Sequence, residues 1–478
     1  MNTTPIQSIL TRQEHDSLGE RAVPAAAYYG IHTLRATEIY PITGTLIGSY
    51  PDLIVALAQV KKAATQANFE LELLDEPVAK AILAACDELI AGRLHSEFVV
   101  DVVQGGAGTS TNMNANEVIA NRGLELMGHA RGDYQHLHPN DHVNASQSTN
   151  DVYPTAVRVA LCTSINRLLI AMETLRQGFE VKAAEFNDVM KIGRTQLMDA
   201  VPMTLGQEFN CFQIMLGEDI TRLKEAKSLI EEINLGATAI GTGINTDPRY
   251  CDLAIRHLVQ NTGYPMRRAA NLIEATSDCG AFVQLSGVLK RIAVKLSKTC
   301  NDLRLLSSGP QAGFNEIKLP AMAAGSSIMP GKVNPVIPEV MNQVAFEVIG
   351  NDMTVTMAAE AGQLQLNAFE PVMGWSLFKS ITHLAAACHT LDVHCVRGIQ
   401  ANRELLALRV RNSVTLITAL NPLIGYEKSA MLVKTALSTG QSIVDLALSL
   451  GVLSEAELEA AMKPESLTQP RSLAKHTA

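Results

Sequence analysis

The stretch "VPMTLGQEFNCFQIMLGEDITRLKEAKSLIEEINL" (201–235) carries the pattern that decides the fold. Its apolar residues recur at spacings of three, four or seven, which is the spacing of a helix with one buried face. They are Leu205, Phe209, Phe212, Leu216, Ile220, Leu223, Ile230 and Ile233. Glycine occurs in the stretch only at positions 206 and 217. We therefore predict one helix of roughly 30 residues, well beyond the usual length in globular proteins.

Four other stretches repeat this helical pattern. Residues 281–306 do so until "SSGP" stops the pattern, and 156–190, 337–360 and 375–400 behave similarly. Helices this long cannot bury an apolar face alone, so they are expected to lie side by side in an elongated bundle. The apolar face of 281–306 is wide, which predicts that further helices come from other copies of the chain.

The two ends of the chain differ from this helical middle. Before Tyr153, clusters of glycine and proline and polar loops predict a separate N-terminal region. After about Gly398, "LNPLIGYEK" and a shorter helical run predict a small C-terminal domain. We expect a mainly α protein with an N-terminal domain (1–145), a central long-helix domain (146–398) and a C-terminal helical domain (399–478).

Composition limits the classes of function. The chain has 478 residues, 47% of them apolar, and a formal net charge of −9. An acidic body does not attract nucleic acid or an anionic membrane, so neither is an expected partner. Charged residues such as Arg167, Lys191 and Lys290 interrupt the helical stretches, which predicts no membrane span.

The N-terminus and the cysteines predict the compartment. Residues 1–30 lack an apolar run of signal-peptide length, and charges at Arg12, Glu14 and Asp16 interrupt them. The eight cysteines include no CxxC pair, which is typical of buried thiols in a reducing compartment. We therefore expect a soluble cytoplasmic protein.

Four polar segments stand out against the helical background: "GGAGTSTNMNANE" (105–117), "HPNDHVNASQSTND" (138–151), "GRTQLMDAVPMTLGQE" (193–208) and "GSSIMPGKVNP" (325–335). Small polar side chains and backbone N–H groups at helix ends bind anions well. Helix capping alone would explain any one segment. Four of them, one containing an isolated lysine, favour an anion-binding site.

Other kinds of site fit the sequence less well. "GGAGTST" lacks the lysine of a P-loop, and no GxSxG elbow is present. His136, His138 and His142 have a spacing that could hold zinc, but no fourth ligand lies nearby in the sequence. The pairs Cys388-His389 and His394-Cys395 share a helix face and could hold a metal, although a buried helical core explains them better.

The signature "GSSIMPGKVNP" resembles that of the aspartase/fumarase superfamily. "GGAGTSTNMNANE", "NDHVNASQSTND", "GRTQLMDAVPMTLGQEF" and "GATAIGTGIN" also occur in the family's order and spacing. This resemblance implies a three-domain, mainly helical subunit. Its five long central helices would form a twenty-helix core in a homotetramer, with each active site shared among three subunits. It implies no required cofactor, and no ligand set for an activating divalent cation is visible in the sequence.

The resemblance also implies roles for individual residues. Ser326 would be the base, acting as an alkoxide on a mobile loop. The carboxylate that gains charge in an aci-carboxylate intermediate would be held by Thr109, Ser148, Thr149 and Ser327. The other substrate carboxylate would be held by Lys332, Asn334 and Thr195, and the leaving group would lie near Asn150 and Gln196.

Position 196 separates the branches of this family. Fumarases carry a histidine there, because a departing hydroxide needs a proton from a general acid. An amide such as Gln196 cannot supply one, whereas ammonia leaves without it. The glutamine favours elimination of ammonia from L-aspartate to give fumarate.

Two alternatives stay open. One is a class II fumarase, since "TALNPLIGYEKSAMLVKTA" (418–436) is at least as close to fumarases. The other is a non-catalytic structural member of the superfamily. Intact Ser326, Lys332 and Asn334 disfavour this second alternative.

Overall fold

A computed structural model describes residues 10–470. Over this range the chain is mainly helical, with four two-stranded sheets, which confirms the predicted fold class. Residues 1–9, which belong to the stretch in which no signal peptide is expected, lie outside the described range, as do 471–478.

The region before Tyr153 contains a hairpin and four helices. The two strands of the hairpin pair antiparallel, and two 3-10 turns and one π-helical turn lie among the helices. In chain order the elements are β1 (Thr11–Asp16), β2 (Gly19–Pro24), α1 (Ile31–Ile39), a 3-10 turn (Ile47–Ser49), α2 (Pro51–Glu70), α3 (Glu76–Ile90), a 3-10 turn (His95–Glu97), α4 (Thr109–Leu126) and a π turn (Pro139–Val143). The glycine and proline clusters therefore separate helices here.

Five long helices dominate the middle of the chain: Thr149–Glu185 (α5), Leu205–Ile230 (α6), Gly280–Leu306 (α9), Val336–Glu360 (α10) and Glu370–His394 (α11). In chain order the elements are α5 (Thr149–Glu185), β3 (Met190–Thr195), β4 (Met198–Thr204), α6 (Leu205–Ile230), β5 (Glu232–Ile233), α7 (Tyr250–Thr262), β6 (Arg267–Arg268), α8 (Leu272–Ser277), α9 (Gly280–Leu306), β7 (Ile317–Lys318), α10 (Val336–Glu360) and α11 (Glu370–His394). The five long helices are 37, 26, 27, 25 and 25 residues long. Each overlaps one of the five stretches in which the apolar spacing predicts a helix.

Short helices follow. They are a 3-10 turn (Val396–Gly398), β8 (Gln400–Ala401), α12 (Arg403–Asn412), a 3-10 turn (Val414–Leu416), α13 (Ile417–Ile424), α14 (Tyr426–Thr439), α15 (Ile443–Ser449), α16 (Glu455–Ala461) and α17 (Pro464–Thr468). Leu420, Leu432, Ile443, Leu446 and Leu458 are buried together as the core of this region. Burial of these apolar side chains stabilises helices that are too short to be stable alone.

The chain forms two compact units. Unit one comprises the residues up to Leu169, Thr221–Ala293 and Phe346–Leu384. Unit two comprises Ile170–Ile220, Val294–Ala345 and the residues from Ala385 onward. Each of the five long helices begins in one unit and ends in the other.

Helix α6 begins at Leu205, the first residue of the predicted apolar series, and the residues before it form β4. Thr204 and Gln207 close a reciprocal cap: the Gln207 N–H donates to Thr204 Oγ1 at 3.0 Å, and the Thr204 N–H donates to Gln207 Oε1 at 3.0 Å. This capping arrangement satisfies free N–H groups at the helix start. The predicted helix is correct at its start and wrong at its C-terminal end, since Ile233, the last residue of the apolar series, lies in β5.

Buried polar contacts fix neighbouring long helices within each unit. In unit one, Asp352 of α10 accepts from Ser286 at 2.8 Å and from Lys290 at 2.6 Å, both on α9. In unit two, Asn342 of α10 donates to Ser297 Oγ of α9 at 2.8 Å. Leaving such buried groups unpaired costs about 1–3 kcal/mol each, so these contacts favour one helix register.

One helix among the described residues, α5, is long and apolar enough to cross a membrane by length and composition. However, 67% of its most apolar window is buried inside the protein. Core helices of water-soluble proteins meet the same criterion, and we interpret α5 as such a core helix.

Candidate active site

The signature loop (325–335) lies between β7 and α10 and carries Ser326 in a distinctive arrangement. Ser326 Oγ accepts hydrogen bonds from the backbone N–H groups of Met329, at 2.9 Å, and Ile328, at 3.2 Å. Backbone donors aimed at one oxygen stabilise negative charge on it. The loop therefore supplies the kind of support that a serine alkoxide requires.

Two hydrogen bonds join the beginning of the loop to its end. The Gly325 N–H donates to the Lys332 carbonyl at 2.8 Å, and Asn334 Nδ2 donates to the Gly325 carbonyl at 2.7 Å. A Cβ atom at position 325 would lie 2.4 Å from the Lys332 carbonyl oxygen. Gly331 adopts a φ of +80°, which favours glycine. Both glycines are thus required by the backbone path that presents Ser326.

The rest of this loop is open to solvent. Ser327 and Lys332 are exposed, and Ser326 and Asn334 are half-buried. Ile328 is 83% exposed and Met329 is 48% exposed. Exposed apolar side chains beside polar candidate site residues are typical of a surface that another chain covers.

Thr195 and Gln196 lie at the tip of the β3–β4 hairpin. Thr195 pairs with Met198, and the two residues between them, Gln196 and Leu197, have φ values of +55° and +64°. A two-residue turn of this kind normally uses asparagine and glycine, since other residues are strained in the left-handed region. Strained backbone is concentrated at functional sites, where surrounding contacts hold it in place.

A buried carboxylate holds this hairpin. Glu316, just before β7, contacts Arg194 at 2.6 Å and Lys191 at 2.8 Å, and both bases lie on β3. Burial alone would raise the pKa of Glu316, but Lys191 and Arg194 outweigh it and keep the pKa below its usual range. Lys191 also contacts Glu208 at 2.6 Å. The residues at the tip of the hairpin therefore follow a strand that is held in place by ion pairs.

Thr109 begins α4 after a glycine-rich turn. Its side chain donates to the Gly106 carbonyl at 2.7 Å, and it lines an open cleft of about 920 Å³ in unit one. Asn112, one turn further along α4, donates to Thr149 Oγ1 at 3.1 Å. This hydrogen bond joins the first turns of α4 to the start of α5.

Ser148, Thr149 and Asn150 form the N-terminal turn of α5. Ser148 Oγ accepts from the Asn150 N–H at 3.2 Å, and Asn150 Nδ2 donates to the Ala239 carbonyl at 2.8 Å. Asp151 behind them is buried and accepts the Thr238 N–H at 3.0 Å. Burial raises the pKa of Asp151 to about 6, although hydrogen bonds and Lys61 oppose the rise. These hydrogen bonds hold the "GATAIGTGIN" segment (236–245) against the first turn of α5.

Lys61 supports the same turn, although no motif in the sequence indicates this role. Lys61 Nζ donates to Asn144 Oδ1 at 2.8 Å and to Gln147 Oε1 at 3.0 Å. Burial lowers the pKa of Lys61 to about 7. Its position in the sequence could have indicated this buried role, because Lys61 shares one face of α2 with the apolar residues Leu57 and Ala64, and all three are buried.

The candidate residues are sorted into two groups only by the unit whose residue ranges contain them. Unit one contains Thr109, Ser148, Thr149 and Asn150, and unit two contains Thr195, Gln196, Ser326, Ser327, Lys332 and Asn334. Hydroxyl and amide side chains dominate both groups, and unit two adds a lysine. Such donors can hold a dicarboxylate and stabilise charge that develops on it.

Comparisons with known proteins agree with this chemistry. A lyase family model matches residues 19–350, and a model of the fumarase C C-terminus matches 416–469. An aspartate ammonia-lyase from Helicobacter pylori is 57% identical over 465 residues, covering 97% of this chain and 99% of the relative.

Two solved structures are also similar. "Fumarate lyase:delta crystallin" from Brucella melitensis is 56% identical with a TM-score of 0.94, covering 96% of this chain and 100% of that one. A class II fumarase from Schistosoma mansoni is 34% identical with a TM-score of 0.90, covering 97% and 100%. The family match, the near-complete coverage and the higher identity to the ammonia-lyase place this chain in the aspartate ammonia-lyase family of the aspartase/fumarase superfamily.

Proposed function

We propose that the protein catalyses the reversible anti elimination of ammonia from L-aspartate to give fumarate. The observation that carries the mechanism is the pair of backbone N–H groups donating to Ser326 Oγ. As an alkoxide, Ser326 takes the proton from C3 of aspartate and becomes a neutral hydroxyl. The C–H electron pair moves into the adjacent C4 carboxylate, giving the aci-carboxylate. Its collapse forms the C2–C3 double bond and breaks the C2–N bond, so that ammonia leaves.

In this proposal the other polar residues bind the two carboxylates and the amine of the substrate. Thr109, Ser148, Thr149 and Ser327 hold the C4 carboxylate, whose second negative charge requires donors that are already in place. Lys332, Asn334 and Thr195 hold the C1 carboxylate. Asn150 and Gln196 orient the amine. Closure of the signature loop, acting as a mobile lid, excludes water during the reaction. No step requires a cofactor.

The leaving group is assigned by Gln196. Ammonia departs without prior protonation, whereas hydroxide departure from malate needs a general acid, which an amide cannot be. The match to the fumarase C C-terminus concerns residues 416–469, a region that contains none of the candidate site residues. It therefore does not favour malate as the substrate.

We further propose a homotetramer in which three subunits contribute to each active site. Support comes from the dispersed candidate segments and from exposed apolar residues beside them, including Leu197 (66%) and Met198 (72%) at the hairpin tip. In this proposal the subunit has domains at 1–145, 146–398 and 399–478, with the five long helices in a twenty-helix core. The enzyme is soluble and cytoplasmic and does not bind nucleic acid or membranes.

Absorbance of fumarate tests the substrate assignment. Purified enzyme should form fumarate from L-aspartate, with one ammonium released per fumarate, and should dehydrate L-malate far more slowly. Gln196→His should keep measurable ammonia-lyase activity and gain at most weak malate dehydration. The substitution adds a titratable group and leaves the residues that hold the two substrate carboxylates unchanged. Faster turnover of malate than of aspartate by the wild type would replace this proposal with the fumarase alternative.

A further inference from the structure

We propose that His129, Asp133 and His136 form a binding site for a divalent transition-metal ion such as Zn²⁺. All three residues follow the C-terminal end of α4 in unit one. None of them belongs to the candidate active site described above. The site is an independent feature of this chain and does not depend on the proposed reaction.

The side chains already converge. His129 Nδ1 lies 3.9 Å from Asp133 Oδ2, and His136 Nε2 lies 3.7 Å from the same oxygen. The three potential ligand atoms lie within 4.8 Å of one another. A tetrahedral ion with bonds of about 2.0–2.2 Å holds its ligands roughly 3.3–3.5 Å apart. Both nitrogen–carboxylate distances exceed this spacing by only a few tenths of an ångström, so small side-chain movements would bring Asp133 and either imidazole to the spacing of two ligands.

The two imidazole rings are stacked, with centroids 3.8 Å apart and an interplanar angle of 11°. Both rings stand beside the same carboxylate, and because the lone pairs of nearly parallel rings lie in parallel planes, one ring must rotate about its side-chain bonds before a nitrogen of each points at one ion. The distances between nitrogen and carboxylate are too long for hydrogen bonds. His136 Nε2 accepts a long hydrogen bond from Gln135 Nε2, at 3.3 Å, which a bound cation would displace.

The backbone fixes the positions of these ligands. The His129 N–H donates to the Leu124 carbonyl at 2.9 Å after Gly128, whose φ of +83° ends α4. The His136 N–H donates to the Asp133 carbonyl at 3.1 Å. Between the ligands, the Gly132 N–H donates to the buried Asn121 side chain at 2.8 Å. Because the turn is anchored at several points, little ordering entropy remains to be lost when an ion binds.

The surroundings suit an ion with one open coordination position. The side chains of His129, Asp133 and His136 are 33%, 32% and 41% exposed, so an ion can enter and water can supply a fourth ligand. The nearby cation Arg131 is held by Glu125 at 3.1 Å and lies 3.7 Å from the centre of the Tyr28 ring. Its charge is therefore largely neutralised.

The donor set selects the class of metal. Two imidazoles and one carboxylate suit Zn²⁺, Co²⁺ or Ni²⁺, whereas Mg²⁺ and Ca²⁺ prefer sets made of oxygen ligands. Three protein ligands with an open position are typical of exchangeable zinc sites. Since imidazole must be unprotonated to bind, affinity should fall as the solution is acidified.

This grouping differs from the histidine spacing noted in the sequence. His138 Nδ1 accepts from the backbone N–H groups of Asn140 and Asp141, and His142 Nδ1 accepts from the His138 N–H at 2.8 Å. These two histidines cap the π turn. The fold instead places His136 beside His129, seven residues earlier in the chain.

Metal titration of the tag-free full-length protein, stripped with chelator and desalted, tests the proposal. We expect one Zn²⁺ per chain by competition with a chromophoric chelator, and a visible Co²⁺ spectrum of tetrahedral type. His129→Ala, His136→Ala and Asp133→Asn should each weaken Zn²⁺ binding by a factor of about ten or more. The matched control His15→Ala, another exposed histidine of unit one, should bind as the wild type does.

Asp133→Asn changes neither size nor shape, and circular dichroism would establish that each variant is folded. Absence of stoichiometric Zn²⁺ binding by the wild type would overturn the proposal. Equal affinity in the wild type and all three variants would also overturn it, because the ion would then be bound elsewhere.

Discussion

At the scale of single residues, the central problem is how a serine can act as a base. A serine hydroxyl is a very weak acid, so its alkoxide must be stabilised strongly. Ser326 Oγ already accepts two backbone N–H bonds. Hydrogen bonds to a charged group contribute about 1.5–3 kcal/mol each, so these donors favour the ionised form.

Removal of this hydroxyl gives the most direct test. Ser326→Ala should abolish fumarate formation while leaving the fold and assembly unchanged, because a half-buried loop side chain supports little core. Ser438→Ala, which alters an exposed serine of α14, should retain full activity. A Ser326→Ala enzyme within a factor of about ten of the wild type, or about 1.4 kcal/mol in barrier, would remove Ser326 from the mechanism.

Glu370 predicts how stability depends on pH. It begins α11 and is buried, and its Oε2 atom has no hydrogen-bond partner within the described residues. Burial raises its pKa from 4.5 to about 8, and Arg158 opposes this only in part. A raised pKa means that the folded state holds the proton more tightly. The stabilising contribution is therefore complete below about pH 4.5 and is lost as the pH rises through 8.

Glu370→Gln mimics the protonated carboxyl and should flatten this loss. Denaturant midpoints at fixed protein concentration should be similar for wild type and variant near pH 5. Near pH 8 the variant should be more stable, on the order of a few kcal/mol. Glu459→Gln, at an exposed position of α16, should follow the wild type at both values. Parallel curves for Glu370→Gln and wild type would show that Glu370 is ionised throughout.

At the scale of elements, the β3–β4 hairpin shows how remote contacts position a site. Glu316 neutralises Lys191 and Arg194 on β3, and the candidate residues Thr195 and Gln196 follow at the tip. Breaking a buried ion pair by removing one partner costs about 3–5 kcal/mol, since the other charge is left uncompensated. The hairpin and its turn should therefore depend on Glu316.

Two isosteric substitutions separate the contributions to this hairpin. Glu316→Gln should lower kcat/KM for aspartate strongly, through an altered tip, while the far-UV spectrum is preserved. Glu208→Gln removes a more exposed partner of Lys191 and leaves Glu316 in place, so its effect should be small. Equal kinetic effects of the two substitutions would mean that Glu316 does not position the tip.

The elements also show what the sequence could predict. Apolar spacing locates the five long helices, because helical periodicity is a local signal. The apolar spacing does not reveal strand β4 before α6, since Val201 and Met203 are compatible with the spacing of a helix and with the alternation of a strand. The turn at Gln196 and Leu197 carries no glycine or asparagine, so nothing local signals its left-handed backbone. The strand that leads into the turn is held by Glu316, which is distant in sequence.

The same distinction applies to the candidate site. The residue types of the polar segments indicate anion binding, and the family resemblance assigns their roles. The donors to Ser326 lie two and three residues further along the same loop, whereas the contacts of Lys61 with Asn144 and Gln147 arise only when α2 and a distant loop fold together. Residue chemistry is therefore readable from the sequence, while the long-range electrostatic support around it is not.

At the scale of the whole molecule, α10 carries an uncovered apolar stripe. Phe346, Met353 and Met357 are 63%, 60% and 64% exposed, and Ile349 between them is 38% exposed. Their spacing of three, four and four places them on one helix face. An exposed stripe of this kind is expected to be covered by other subunits in the proposed tetramer.

Mixed tetramers test whether active sites are shared. Ser326→Ala and Thr195→Val should each be inactive alone, since each lacks one necessary hydroxyl. After gentle dissociation and joint reassembly, some activity should return, because certain sites would take an intact Ser326 and an intact Thr195 from different chains. Inactive hybrids, with mixed tetramers demonstrated by native mass spectrometry, would mean that each site belongs to a single chain.

The left-handed backbone at position 196 has a consequence for evolution. With a φ of +55°, this position tolerates histidine better than branched residues and cannot accept proline. Glutamine and histidine codons differ only in their third nucleotide. A single point mutation can therefore exchange the non-titrating amide for an imidazole while the hairpin keeps its shape. The path between two leaving-group chemistries is short in the genetic code and is not blocked by the backbone.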